Sequence, residues 1–444
     1  MDDFSSAPSF LQYGSLTFSG GGQAYVEQYL TKDVWHMVSM PVNAGIIEVY
    51  LWNYLAQFAE PSGSWATLSL PVTIPMNVGE GYFAWNYSVD PNGQWPISPD
   101  SVVFYGTLND QDVNLSLSNT DASPSSGWNL LGNPFPVAIE WNSSSDWNRN
   151  NVGAVMYLFD PDNTGNYVTW NYNTGIGTNP NGGFIASTQG FWVRTSDTTG
   201  TAASITIPAS QRFHNNAAFL KSDGVALPDH MLVTVEGENY KDQTILGFIE
   251  TATGEFDPDY DGLYLKPNVN SLSLYTSTNG SKYAINELPS VKEYPLVPLI
   301  FKATTNGMHT LSFSWVESFD SDQPIYLEDK KEKRFKDIRL LSEYKFDAGI
   351  DDTENRFFIH FVAPNVTENP MDYVNIYSWQ KNVVVEIPFE TDGTISVYDI
   401  AGRQVAMKKA FFGKNEIQLT DSKGNYIVRF ISSEGMANHK VNIQ

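Results

Sequence analysis

The sequence has no cysteine, which excludes disulfides, thiolate metal sites and a cysteine nucleophile together. Basic residues are also scarce. Fifty acidic side chains face 26 lysines and arginines, a formal charge of −24. Such a chain repels a phosphate backbone instead of releasing its counterions, so nucleic acid is not an expected partner. There is no apolar run of the ~18 residues that a membrane helix needs. Residues 1–30 lack the basic start and apolar stretch of a signal peptide, so further chain is expected upstream of Met1 in the full gene product. Neither HExxH nor GxSxG occurs, and the histidines at positions 36, 214, 230, 309, 360 and 439 are scattered, so no catalytic residue and no Ser-His-Asp or histidine metal cluster can be named.

What is present points to strands. Aromatic residues make up 14% and charged residues 17% of the 444 positions, a balance suited to half-buried sheet surfaces. Ten of the twelve tryptophans but only five basic residues lie in residues 1–227, so the composition breaks near Pro228. Within that first part an internal repeat is legible. Trp35-His36-Met37-Val38-Ser39-Met40-Pro41 matches Trp128-Asn129-Leu130-Leu131-Gly132-Asn133-Pro134. Tyr50-Leu51-Trp52 then matches Tyr157-Leu158-Phe159, Trp65-Ala66-Thr67 matches Tyr167-Val168-Thr169, and Gly81-Tyr82-Phe83-Ala84-Trp85 matches Gly190-Phe191-Trp192-Val193-Arg194. The leading glycine of the last pair reads as a bulge or tight turn.

From Met231 to Phe361 short alternating runs recur every 8–20 residues, as in Thr310-Leu311-Ser312-Phe313-Ser314-Trp315. Pro364-Asn365-Val366-Thr367-Glu368-Asn369-Pro370 reads as a linker. Across it the charge changes from a net −25 over residues 1–372 to +1 over residues 373–444. The expected architecture is all-β: tandem β-sandwich domains, jelly-roll or immunoglobulin-like, at 1–101, 102–227 and 228–364, a linker at 365–372 and a C-terminal β-sandwich at 373–444.

The last unit carries three motifs in order: Gly393-Thr394-Ile395-Ser396-Val397-Tyr398-Asp399-Ile400-Ala401-Gly402-Arg403-Gln404-Val405, then Gly424-Asn425-Tyr426-Ile427-Val428, then Lys440-Val441-Asn442-Ile443. This block resembles the type A C-terminal sorting domain of type IX secretion substrates of Bacteroidetes. The family's usual Pro-Asn-Pro turn is absent from Ile376–Asn382. The resemblance implies export across the outer membrane by the type IX translocon, collection by an outer-membrane shuttle protein, and removal by a cell-surface sortase that anchors the body. The residues that would carry the signal are Gly393, Asp399, Gly402, Arg403, Gly424, Tyr426, Lys440 and Val441.

Two binding sites are candidates. Asp257, Asp259 and Asp261, followed by Gly262, resemble the opening of a calcium loop, although position 12 is Asn268 instead of glutamate; a poorer version spans Asp160–Gly165. Trp95, Trp141 and Trp147 sit among polar turn residues and are candidates for stacking on a glycan, with a packing role as the alternative. Gly20–Gly22 reads as a turn, and Lys330–Arg334 as a solvated hairpin tip. The expectation is a non-catalytic surface protein, an adhesin or stalk. An extracellular hydrolase acting on polysaccharide or protein is the alternative, since paired carboxylates need only meet in space.

Overall fold

The computed structural model describes residues 23–443 except 70, 89–99, 121–125, 161–165, 197–200, 215–226, 239, 267–270, 341–342, 364–369, 380, 390, 392, 420–422 and 434. The chain is all-β: among the described residues helical structure is limited to short 3-10 turns. The linker residues 364–369, Trp95, Gly20–Gly22 and most of the 160–165 loop lie outside the described residues.

The repeat read from sequence is a repeat of topology, with one correction: Tyr50-Leu51-Trp52 is no strand, since Tyr50 ends the 3-10 turn Ile47–Tyr50, and the counterpart of Val155–Asp160 is Tyr54–Ala59. In the first copy a sheet runs in the order Trp35–Ser39, Gly81–Trp85, Tyr54–Ala59, Ser64–Leu68. In the second the order is Trp128–Gly132, Gly190–Arg194, Val155–Asp160, Asn166–Asn171, with Ile176–Gly177 added at the edge. The register is shared, Trp35 opposite Trp85 and Trp128 opposite Arg194. Each copy also pairs the strand preceding this sheet with the strand following it, Ala24–Tyr29 with Ser101–Leu108 and Val113–Leu117 with Ala203–Ile207. The first copy therefore extends to Leu108. A division at 101/102 would cut through a strand that pairs back onto Ala24–Tyr29.

The copies meet reciprocally. Ser39 N–H donates to Thr188 O at 2.9 Å and Gly132 N–H to Gly79 O at 2.8 Å, while Val38 bridges Gln189 and Glu80 bridges Leu131. Ser39 and Gly132 close the first strands of their copies, and residues 79 and 188 each precede the fourth strand by two. The pattern is that of an isologous twofold contact within one chain. It explains the glycines better than a bulge does. A Cβ on Gly81 would lie 2.3 Å from Leu131 O, and one on Gly132 would lie 2.2 Å from Ser39 Cβ and 2.5 Å from Glu80 O. They are glycine because two backbones pass within reach of each other. Aromatic rings fill the rest of the contact: Phe58 packs edge-on to Trp192 at 4.9 Å and Phe83 to Phe159 at 5.1 Å. Met37 and Phe83 of the first copy join the core of the second.

Residues 230–360 form one eleven-stranded ladder. Met231, Leu246, Leu274, Val297, Leu311, Leu327, Tyr344 and Phe357, each from a different strand, share a single apolar cluster, so the ladder curls around its own core. The bidentate pair of Arg356 with Asp329 is sealed into this unit, with Nη2–Oδ2 at 2.7 Å and Nε–Oδ1 at 2.9 Å, and Tyr344 OH donates to the same carboxylate. The tail has its own core, built only from Met371 onward. It comprises a three-stranded sheet (Asn375–Trp379, Asn382–Ile387, Gly413–Gln418) and a four-stranded one in the order Gln404–Lys409, Thr394–Asp399, Gly424–Ser432, Gly435–Ile443. Met371, in the 3-10 turn Pro370–Tyr373, is part of that core, so this end of the expected linker belongs to the tail.

Candidate functional site

The three motifs of the tail lie on adjacent strands of its four-stranded sheet. Asp399 stands opposite Tyr426, and Tyr426 opposite Val441, so one row crosses all three. Alternation sends Tyr426 and Val441 into the core and leaves Lys440 exposed, beside Ile427, which in turn faces Tyr398. Local chemistry sets the hairpin from Asp399 to Arg403. The Asp399 carboxylate accepts from Ala401 N–H at 3.0 Å and Arg403 N–H at 2.9 Å, and from the Arg403 guanidinium at 3.0 Å. These bonds, the Arg403 N–H foremost, hold the carboxyl below its usual range. Gly402 occupies the left-handed region at φ +81°, which glycine alone adopts without cost. Gly393 has a different reason: a Cβ there would meet the Phe430 ring at 2.2 Å. Gly424, at φ +158°, lies close to extended backbone.

The tail is joined to the preceding unit by a half-sealed ion pair. Lys336 Nζ lies 2.5 Å from Glu386 Oε2, and the glutamate also accepts from Asn375 Nδ2 and Tyr377 OH. Burial alone would push the carboxyl up, but the lysine charge and these hydrogen bonds outweigh it and hold it low. Phe335 packs on Tyr373 at 5.0 Å beside the pair. Sequence carries no signal for this contact, because its partners lie fifty residues apart.

The candidate calcium loop is a docking loop instead. Asp261 is buried, and its Oδ1 accepts from Glu287 N–H and its Oδ2 from Asp257 N–H, both at 2.8 Å. Asp257 Oδ1 accepts from Asp259 N–H. Burial pushes the Asp261 carboxyl up to about 8. The carbonyls of Pro258, Asp259 and Tyr260 accept from Ala154 N–H, Asn171 Nδ2 and Asn173 Nδ2 of the second repeat copy. The carboxylates of Asp257, Asp259 and Asp261 therefore do not converge as the six or more oxygens around calcium must. Among the described residues no three His, Asp or Glu side chains form a metal site.

Trp141 and Trp147 are likewise corrected from ligand platform to core. Both are fully buried, 4.8 Å apart edge to face. Trp141 Nε1 donates to Ala154 O and Trp147 Nε1 to Glu140 O. The Arg149 guanidinium lies over the Trp141 and Tyr172 rings at 4.1 and 4.0 Å. The polar neighbours that made this segment look exposed serve its turn: Ser144 N–H donates to Asn142 Oδ1, and Ser144 Oγ caps Asp146 N–H.

Residues 34–361 match the family described as "Domain of unknown function (DUF8693)". The chain belongs to that family. The match takes in the first repeat copy except Ala24–Tyr29, the whole second copy and the eleven-stranded unit of this DUF8693 protein, and stops short of the tail. No curated protein matches the sequence. Among solved structures, PorZ of Porphyromonas gingivalis, described as an essential bacterial surface component of the type-IX secretion system, is 9% identical, with 88% of this chain and 44% of that one covered and a TM-score of 0.18. The BSP domain of a biofilm-associated protein is 7% identical, with 98% and 99% covered and a TM-score of 0.18. This chain spans less than half of PorZ, and at these TM-scores neither likeness bears on function.

Proposed function

We propose that this chain is an exported bacterial surface protein. In this reading residues 373–444 direct type IX secretion and surface attachment, and the DUF8693 body is a non-catalytic adhesin or stalk. The observation that carries the reading is the row Asp399, Tyr426, Val441: three motifs separated in sequence become one end of one sheet, in a unit with its own core. A signal read after folding needs such a contiguous surface, since recognition of scattered segments requires them to be brought together first. The translocon, the shuttle protein and the sortase are the partners this reading supplies, and the cut falls within residues 364–369, ahead of the 3-10 turn that joins the tail core. The test is sufficiency. Residues 364–444, fused behind a signal peptide and an inert fluorescent protein, should bring that protein to the surface of a type IX-competent host. Retention of the fusion in the periplasm would remove the assignment.

A further inference from the structure

The duplication provides an internal control for what the fold requires on its outer surface. In the first copy, pairing of Ala24–Tyr29 with Ser101–Leu108 turns Val26, Val102 and Phe104 inward. The outward rows are Tyr25 opposite Tyr105, Glu27 opposite Val103, and Tyr29 opposite Ser101. In the second copy the corresponding pairing turns Leu115, Ile205 and Ile207 inward, and the opposite rows pair Asn114 with Thr206 and Ser116 with Ser204; Asn114 and Ser116 are exposed, and Thr206 is buried with its hydroxyl donating to Asn114 Oδ1. The same architecture thus stands with Asn, Ser, Ser and Thr, and no aromatic ring, at these positions. Packing does not require the opposed tyrosines of the first copy, Tyr25 and Tyr105, which hold 73% and 47% of their surface in solvent; Tyr29 holds 56%.

We infer that this face of the first copy binds a neutral, hydroxyl-rich glycan. Tyr25 and Tyr105 are directly opposed, which places their Cβ atoms ~5 Å apart, and Tyr29 follows Tyr25 on the same face at ~14 Å. The result is an aromatic strip of a length that spans more than one sugar ring. Polar groups along it are acceptors: Glu27 Oε1, engaged by Ser101 Oγ at 2.6 Å, lies between the tyrosines, and Glu48 Oε2 lies 3.5 Å from Tyr105 OH. Ring faces take the C–H face of a sugar, and the carboxylates take its hydroxyl donors. Charge selects among occupants. The two carboxylates on the strip and the −24 of the chain repel an anionic polysaccharide, and equally a second copy of this chain. The inference deepens the surface-protein reading and rests on it only for where the glycan would be met.

The test uses the purified full chain, so it is independent of export. Binding is measured by calorimetry and affinity electrophoresis against soluble neutral polysaccharides (a β-glucan, a mannan, a galactan), with alginate and heparin as anionic comparators, for the wild type, Tyr29→Ala and the double variant Tyr25→Ala/Tyr105→Ala. The expected result is binding to at least one neutral polysaccharide and none to the anionic ones. The double substitution should weaken it about tenfold or more, the usual loss on truncating aromatic anchors, with Tm unchanged because the side chains are exposed. No binding across the neutral panel, binding that survives the double substitution, a preference for the anionic polymers, or a dimer that the double substitution dissolves would each overturn the inference. Failure of the tail to direct export would leave this result untouched, which separates the two claims.

Discussion

Gly132→Ala should pry the two repeat copies apart. The added Cβ would lie 2.2 Å from Ser39 Cβ, 2.5 Å from Glu80 O and 3.1 Å from Glu80 C. Two of these three are backbone atoms, so relief requires the strands to separate instead of a side chain to swing. Overpacking of this kind costs ~1–3 kcal/mol. Separation also loosens the Gly132 N–H to Gly79 O and Ser39 N–H to Thr188 O bonds, at ~1 kcal/mol each. The expected loss is therefore ~3–5 kcal/mol. For a cooperative unit of about 200 residues, each kcal/mol lowers Tm by ~2–4 °C, so the repeat transition should fall by roughly 6–20 °C. Differential scanning calorimetry of the full chain reads it, with the transitions of the eleven-stranded unit and the tail as internal references. Gly153→Ala is the control, since its Cβ would approach nothing closer than 3.4 Å. Ser39→Gly should restore part of the loss in Gly132→Ala by removing one of the colliding atoms, a coupling that a double-mutant cycle isolates. If Gly132→Ala melts like the wild type, or like Gly153→Ala, the reciprocal contact does not hold the copies together.

Arg356→Met leaves Asp329 buried without its partner, and denaturant unfolding of the eleven-stranded unit should show a loss of ~3–5 kcal/mol; a change below about 1 kcal/mol would mean the pair is not sealed. Burial pushes the Asp242 carboxyl up to about 7 against the opposing hydrogen bonds from Leu274 N–H, Gln243 N–H and Tyr264 OH. Between the unfolded value of ~3.9 and about 7 the unfolded chain loses this proton while the folded chain keeps it. Asp242 therefore favours folding most at acid pH, and Asp242→Asn should gain on the wild type as pH rises from 4 to 7; a difference independent of pH would refute the burial argument. Gly402→Val forces a β-branched residue to φ +81° and should lower the melting point of the tail transition while leaving the body unchanged; an unaltered tail would mean the turn is free to change its form.

The repeat was legible because aromatic strands recur in the same order in both copies, and in both the sheet sets the fourth strand between the first and the second. The glycines at 81, 132 and 190 were visible too, but not their reason, since the backbone each one meets lies some fifty to 150 residues away. Trp141 and Trp147 misled because Asn142, Ser143 and Ser144 look solvent-facing, whereas Asn142 and Ser144 turn their side chains onto nearby backbone. Asp257, Asp259 and Asp261 misled in the same way: alternating carboxylates serve a cation or a backbone turn equally well in sequence, and only the N–H groups of Asp257 and Glu287 decide between them. Strand Ser281–Leu288 defies a pattern reading because its Lys-Tyr-Ala-Ile-Asn-Glu run places buried Asn286 and Glu287 where apolar residues are expected. In the tail, by contrast, motif, turn and strand agree, as local sequence and sheet register point the same way.

The central claim is that the tail is what exports this protein. Its most direct test is fractionation of a type IX-competent host that expresses, behind the same signal peptide, the full chain and a chain ending at Ala363. The account predicts that the full chain reaches the surface or medium with the tail removed by a cut within residues 364–369, while the shortened chain stays in the periplasm as a folded body of unchanged melting behaviour. A shortened chain that reaches the surface as well as the intact one would contradict it.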